Sequence, residues 1–176
     1  MFLCVPVFWP LPRVYIHGLA GAARGARRFI LLKGLAVLSF GPEIPFVHEL
    51  GFDLIKAENG ESELRYTPRP EHLNSFGVTH GGASMTLLDV TMAVAARSVD
   101  FEQGVVTIEM KSSFMQAAKG PLVGQGKLLH RTGSMAFTEG RIYDAQGRLC
   151  VQATGTFKYM QRRPAAEGGL KALPTD

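Results

Sequence analysis

An α+β architecture, with an antiparallel sheet wrapped around one long buried central helix, is what this sequence predicts. Three observations carry it. The stretch from Ala83 to Ala96 (ASMTLLDVTMAVAA) is apolar on nearly every side and holds a single charge, Asp89; a helix that is hydrophobic all round is a buried one. Two strand-like runs precede that stretch and four follow it. Breaks of hairpin length, marked by Gly, Pro and Asn, separate the runs, and short connections favour antiparallel neighbours.

Taken in order, FDLIKA and ESELRY flank Asn59-Gly60, a dipeptide suited to a tight hairpin because both residues tolerate positive φ. Helical character then runs from about His80 to Ser98. The four later strands are VVTIEMKSSFM, LVGQGKLLH, SMAFTEGRIYD and RLCVQATGTFKYM, separated by Gly120-Pro121, Thr132-Gly133 and Gln146-Gly147. In the last run Leu149, Val151, Ala153, Phe157 and Tyr159 alternate with Cys150, Gln152, Thr154, Thr156 and Lys158. A period of two marks a strand with one buried face. A doubly wound fold needs more helices than this sequence supplies. A sheet curled around one buried helix is a hotdog-type α+β fold.

Composition agrees with one core. Of 176 residues, 46% are hydrophobic and 19% charged, which excludes a chain disordered throughout. Cys4 and Cys150 are too few for a disulfide scaffold and lack zinc-knuckle spacing. Pro, Arg or Asp interrupts every apolar stretch before the ~20 residues that a membrane span needs. The net charge of +4 is uneven: residues 1–42 hold Arg13, Arg24, Arg27, Arg28 and Lys33 and no acid, leaving the rest at −1. The body therefore shows no basic patch of the kind a nucleic-acid binder displays. Residues 1–42 read as a leader or poorly ordered extension without an assigned role, acid-poor like a transit peptide or a membrane-surface helix. The domain is expected over residues 43–160, with a flexible tail over 161–176. Deleting residues 1–42 is expected to leave folding and turnover intact.

Asp89 is the informative residue. It lies about two turns inside the helix, too far along to cap it, and its helical neighbours Met85, Thr86, Met92 and Ala93 offer no ionic partner. An unpaired buried carboxylate is costly, or its pKa rises. Satisfaction by backbone amides or by a partner subunit is the structural explanation; a chemical role is the other. Upstream, THGG (Thr79 to Gly82) reads as the helix entrance. Its free first-turn amides attract negative charge and can stabilise the oxyanion of a carbonyl under attack. His80 can act as a general base, or simply cap or pack the turn. Eight residues separate Gly81 from Asp89, about 12 Å along a helix, so no single carbonyl carbon is reached from both. If both serve one reaction, the acid comes from a second subunit whose helix runs antiparallel, which a two-fold dimer supplies.

The stretch LNSFGVTHGGASMTLLDVTMAVAAR resembles the hotdog-fold acyl-CoA thioesterases of the phenylacetate-pathway (PaaI-like) type, with the likeness running from about Phe46 to Met160. It rests on HGG followed by an acid nine residues after the His, and on an Asn six residues before it: Asn74, His80 and Asp89. The resemblance implies that Asp89 is general base on water or nucleophile, and that the Gly81 N–H polarises the thioester carbonyl. It implies that Asn74 positions the thioester or the water, that His80 shapes the same corner, and that Thr107 holds the water beside the acid. Thr107 is also an ordinary β-branched strand residue.

A thioester is reactive enough that an acid, a polarising amide and a held water suffice, with burial raising the pKa of Asp89 toward usefulness at neutral pH. No metal is called for, and no His/Cys/Asp/Glu cluster has metal-ligand spacing. No other cofactor is expected, because coenzyme A is part of the substrate. There is no G-x-S-x-G elbow, and Cys150 reads as a small core or surface residue. The acyl pocket is expected to be apolar and formed between subunits, with Gly82, Met85, Leu88, Phe76 and Phe114 as candidate linings. Arg97, Lys111, Lys127, Arg131 and Arg141 are candidates for the coenzyme A phosphates, with an ordinary surface role as the alternative. The expected protein is a cytoplasmic homodimer or a dimer of dimers, acting on an aryl- or short/medium-chain acyl-CoA, without nucleic acid or membrane span. The alternatives are a non-catalytic acyl-CoA-binding hotdog protein and an enoyl-thioester hydratase. The next His after Asp89, His130, lies on a different element, which weakens the hydratase.

Overall fold

The computed structural model describes residues 37–161, apart from residue 42. The remainder of the expected leader, and the expected tail beyond Gln161, lie outside the described residues. A short helix α1 (Pro45–Leu50) starts on a proline and stops at Gly51, whose φ of 73° caps it by donating to the Val47 and His48 carbonyls. Strands β1 (Phe52–Glu58) and β2 (Glu61–Tyr66) follow. They are joined as expected by Asn59 and Gly60, at φ 52° and 79°, the double positive φ of a tight hairpin turn. A 3-10 turn at Pro70–His72 leads to the long helix α2 (Gly81–Arg97), and then come β3 (Gln103–Phe114), β4 (Leu122–Arg131), β5 (Met135–Asp144) and β6 (Leu149–Gln161).

All six strands form one antiparallel sheet in the order β1-β2-β4-β5-β6-β3. The expected hairpins hold for β4–β5 and β5–β6 but not for β3–β4. β3 pairs with β6 at the far edge, and residues 115–121 carry the chain past the β5–β6 turn to reach β4. That crossover is anchored: the Met115 and Gln116 amides both donate to the Cys150 carbonyl at 2.9 and 3.1 Å, and buried Ala118 accepts from the Thr79 amide at 2.9 Å. Gly120 does turn the chain, at φ 65°, but a Gly-Pro break marks a reversal without saying which strand is met next.

Glycines in the sheet let α2 sit close. A Cβ on Gly126 would fall 2.6 Å from Ser62 Oγ and 2.7 Å from the Thr91 carbonyl oxygen, and one on Gly140 would fall 3.0 Å from Leu88 and Met92. Gly126 and Gly140 are register partners across β4 and β5. Ser62 Oγ donates to the Thr91 carbonyl at 2.7 Å, and Tyr159 OH to the Ala96 carbonyl at 2.9 Å. Leu87, Leu88 and Met92 are fully buried against the sheet. The expectation of a helix buried on every side is corrected here: within one chain Met85 is exposed, and Thr86, Asp89, Val90 and Ala93 are only partly covered.

The register shifts at four places, between Leu54 and Lys56, Thr107 and Glu109, Leu128 and His130, and Ile142 and Tyr143, and two of these bulges bear on the expectations above. Across β5–β6, Ile142 opposes Val151 and Tyr143 opposes Leu149, so Cys150 is the extra residue. Cys150 is therefore fully buried rather than on the polar face where simple alternation placed it. In β3 the register shifts between Thr107, opposite Phe157, and Glu109, opposite Thr156. Ile108 is the extra residue there, and Thr107 and Met110 consequently share one face.

Residues N-terminal to the boundary expected at 43 also pack on the domain. The Leu38 amide donates to the Leu54 carbonyl at 2.8 Å, and Phe40 lies against the core. A chain starting at residue 43 should therefore melt below one starting at residue 37, by about 1–3 kcal/mol; equal melts would show that the segment adds nothing. Gly126→Ala should destabilise by about 1–3 kcal/mol in chemical denaturation, since its methyl displaces the Ser62–Thr91 bond. A neutral or stabilising result would mean that α2 can lift off the sheet at little cost.

Candidate active site

The corner ahead of α2 is tightly organised. His80 is the N-cap: its Nδ1 accepts from the Gly82 amide at 3.0 Å, its carbonyl accepts from Ser84 at 3.1 Å, and its own amide donates to the His72 carbonyl at 2.8 Å. That arrangement uses the Gly82 and Ser84 amides. The Gly81 N–H makes no hydrogen bond among the described residues and sits at the positive end of a helix running to Arg97. The Phe114 ring lies 3.5 Å from where a Gly81 Cβ would stand, so glycine leaves room between ring and backbone. Asn74 shapes the preceding loop. Its Oδ1 accepts from the Phe76 and Val78 amides at 2.9 and 3.3 Å, which leaves its Nδ2 as the group able to donate elsewhere. Phe76 stands at the loop tip, exposed.

Two turns into α2, Asp89 Oδ1 accepts from Thr107 Oγ1 at 2.7 Å. The bulge at Ile108 is what aims Thr107 inward at this position. Burial holds the Asp89 carboxyl above the usual carboxylate range, while the Thr107 hydroxyl, which favours the ionised form, pulls it partly back. Asp144 makes the contrast. Burial pushes it up too, but the Arg148 amide and guanidinium and the Gln146 amide outweigh that and hold it low. Asp89 has one hydroxyl where Asp144 has a cation and two amides.

Asp89 and Thr107 open onto a cleft of about 670 Å³ along the outward face of α2. Gly82, Met85, Asp89 and Arg97 line it from the helix, and Thr107 and Met110 from β3. The opposite wall is Phe40, Ile44, Phe46 and Val47, a group sequence reasoning missed. No chemical motif marks these residues, and the only available signal is the apolar spacing of IPFV after Gly41-Pro42.

The structure thus brings together Asp89, Thr107, Gly82 and Met85. Asn74 and His80 stand ahead of the helix instead, and Gly81, its first residue, is about 12 Å from Asp89 by helical rise. Leu88, a candidate lining, points into the sheet and is 0% exposed, because it lies on the face opposite the cleft. Among the basic candidates Arg97 lines the cleft, its Nη1 donating to the Phe40 carbonyl at 3.4 Å. Arg131 pairs with Asp100 at 3.2 Å and covers the Tyr159 ring, Arg141 pairs with Glu139 at 3.3 Å, and Lys127 faces Glu61 and Glu139 across the sheet. Lys111 is exposed on β3. His130 lies against Phe137 on the adjoining strand. No cluster of potential metal ligands occurs among the described residues, and none of their helices is long and apolar enough to cross a membrane.

Comparison with known proteins fits this geometry. Residues 76–151 match the model of the Thioesterase superfamily. A 1,4-dihydroxy-2-naphthoyl-CoA hydrolase of Escherichia coli K12 is 29% identical over 129 residues, 72% of this chain and 93% of its own. The structure of a conserved protein of Pseudomonas aeruginosa superposes with a TM-score of 0.64 at 28% identity, covering 67% of this chain and 95% of that one. The PaaI protein of the E. coli phenylacetic acid degradation operon superposes with a TM-score of 0.62 at 20% identity, over 65% of this chain and 83% of its own, a likeness of fold alone. The architecture is the hotdog fold that the sequence predicts, and the enzyme class is that of hydrolases acting on thioester bonds.

A raised Asp89 pKa has a definite sign. The folded state binds this proton more tightly than the unfolded chain, so the protein loses stability as pH rises through the folded value. Asp89→Asn should therefore raise the melting temperature at pH 7, with the gain fading below about pH 4, where an unfolded Asp titrates. A gain equal at both pH values would point to packing and not to ionisation.

Proposed function

We propose that this protein hydrolyses an aryl- or short/medium-chain acyl-CoA to the free acid and coenzyme A, as a thioesterase of the PaaI-like type whose site is shared between two subunits. The observation that carries the reading is Asp89, hydrogen-bonded to Thr107 at 2.7 Å on an apolar-walled cleft, in the same helix as an unengaged Gly81 amide. Support for the substrate class comes from the similar E. coli protein, itself named a CoA thioester hydrolase.

In this reading a water held between Asp89 and Thr107 attacks the thioester carbonyl carbon as Asp89 accepts its proton. The negative charge develops on the carbonyl oxygen, where the Gly81 N–H of the partner subunit donates to it. Collapse breaks the C–S bond, and the departing thiolate takes the proton from Asp89, leaving the acid and restoring the carboxylate. Asp89 acting directly as nucleophile uses the same geometry. Asn74 Nδ2 supports placement of the thioester or the water, and His80 fixes the entrance by capping the helix. Coenzyme A enters as part of the substrate, and the scheme needs no other cofactor or metal. A cytoplasmic location goes with it.

Antiparallel pairing of two α2 helices about a two-fold axis makes two equivalent sites. The sheet offers a surface for this: among the described residues β3 is an edge strand, paired only with β6, and exposes Val106 and Ile108 at 46% and 56%. An exposed edge strand with bare apolar side chains is an aggregation liability unless covered, though Glu109 and Lys111 on β3 blunt it. A dimer, or a dimer of dimers, covers it.

Thiol release should be measured on a panel of aryl- and alkanoyl-CoA thioesters for the wild type and Asp89→Asn. Turnover by the wild type, with a loss of about 10²-fold or more in the variant, is expected. If neither protein turns over while both bind acyl-CoA, the protein is a binding module instead. Thr107→Val should in addition move the acid limb of the kcat/KM profile to higher pH, because it removes the bond that favours the ionised acid.

A further inference from the structure

We propose that Phe76 of each subunit closes the far end of the partner subunit's cleft and so sets the length of acyl group that fits; this rests on the shared site proposed above. Phe76 is 84% exposed, yet the loop bearing it is braced. Leu73 and Thr79 form a bridge, the Asn74 amide donates to the Val78 carbonyl at 2.8 Å, Asn74 Oδ1 accepts from the Phe76 and Val78 amides, and Gly77 turns the chain at φ 65°. A large ring held out on a fixed turn loses little backbone freedom on docking, and the described residues of its own chain leave it largely unpacked.

The partner surface follows from symmetry. An axis that sets Gly81 of one subunit against Asp89 of the other runs the two helices antiparallel. Whatever precedes one helix then lies along the C-terminal half of the other. Phe76 stands at the tip of the turned loop just ahead of Gly81, and Val94 follows Asp89 by five residues, about 7.5 Å along the helix. Val94 lines the cleft, and beside it stand Ile44, Val47 and Phe46. Val94 and Val47 are buried at 6% and 5% and form the floor there, while Ile44 and Phe46, 40% and 62% exposed, form the open wall. That wall and the exposed Phe76 ring, neither covered by the described residues, are brought together by the operator the proposed chemistry requires. An acyl group with its carbonyl at Asp89 and its tail toward Val94 would stop against that ring.

The test separates action on the partner from action within one chain. Wild type, Phe76→Trp and Phe76→Ala are assayed as homodimers on alkanoyl-CoA thioesters of graded length. A hybrid dimer, isolated through two different affinity tags, then joins an Asp89→Asn subunit to a Phe76→Trp subunit. Its one working cleft belongs to the Trp-bearing subunit but is closed by the native Phe76 of the inactive subunit. The Trp homodimer should lose about tenfold in kcat/KM on the longest chain accepted, relative to the shortest. The Ala homodimer should extend the range, and the hybrid should show the wild-type length profile. A hybrid with the Trp profile, or Phe76 homodimers with unchanged profiles, would overturn the inference and leave the thioesterase reading standing. A wild type that is monomeric or releases no thiol would overturn that reading first, and this inference with it.

Discussion

Where β4 passes under α2 at Gly126, a single methyl would collide with the Thr91 carbonyl and with Ser62 Oγ. Comparable contacts at Gly140 fix the helix against β5. A helix seated that closely cannot roll, and that restraint decides which residues meet the core. Leu87, Leu88, Thr91 and Met92 face the sheet and are fully buried. The stripe of Met85, Asp89, Ala93 and Arg97 then faces away, at the i, i+4 spacing of one helical surface. Asp89 can sit in an apolar helix because the seating directs it outward, onto a cleft and not into the core.

The same geometry explains why this acid differs from an ordinary buried one. Asp144 is more deeply enclosed, but a guanidinium and two amides stabilise its charge. Asp89 receives one hydroxyl, and that hydroxyl arrives only because a bulge in β3 resets the face of the strand at Ile108. A carboxylate left partly desolvated with one donor is a stronger base than one clasped by cations. Sheet irregularity, helix seating and the basicity of the acid are therefore one linked arrangement.

Much of this was legible from residue order. Asn59-Gly60 forced a hairpin through its φ preferences, and the apolar run from Ala83 to Ala96 announced the one long helix, although its expected burial on every side does not hold within one chain. Asp89 stood out because nothing at i±3 or i±4 could pair with it, and its distance from Gly81 followed from helical rise. Other features were not legible, for physical reasons. Bulges at Cys150 and Ile108 depend on pairing register, which a single strand does not encode. The β3–β4 crossover looks like a hairpin because glycine and proline report a turn and not its partner. Leu88 and Met85 are both apolar helix residues, and only the direction of the sheet assigns one to core and the other to cleft. The Phe40 to Val47 wall carries no chemical signature, since apolar packing against a distant helix leaves no local pattern.

The half-covered helix also bears on hydrolysis against simple binding. A chain that only held an acyl-CoA would gain by placing Leu or Ala at position 89, because partial burial of a carboxylate costs on the order of several kcal/mol once a partner closes the cleft. An apolar residue would also bind the acyl group more strongly. Keeping an acid there, with a hydroxyl aimed at it and an unengaged helix-start amide in the same element, stabilises neither the fold nor ground-state binding. Under the proposed hydrolysis each feature has a use, because a proton must leave a water and charge must build on a carbonyl oxygen. No one helix presents both groups to the same carbon, so under the proposed hydrolysis a second copy of the chain would supply the missing group and would also cover the exposed edge strand β3.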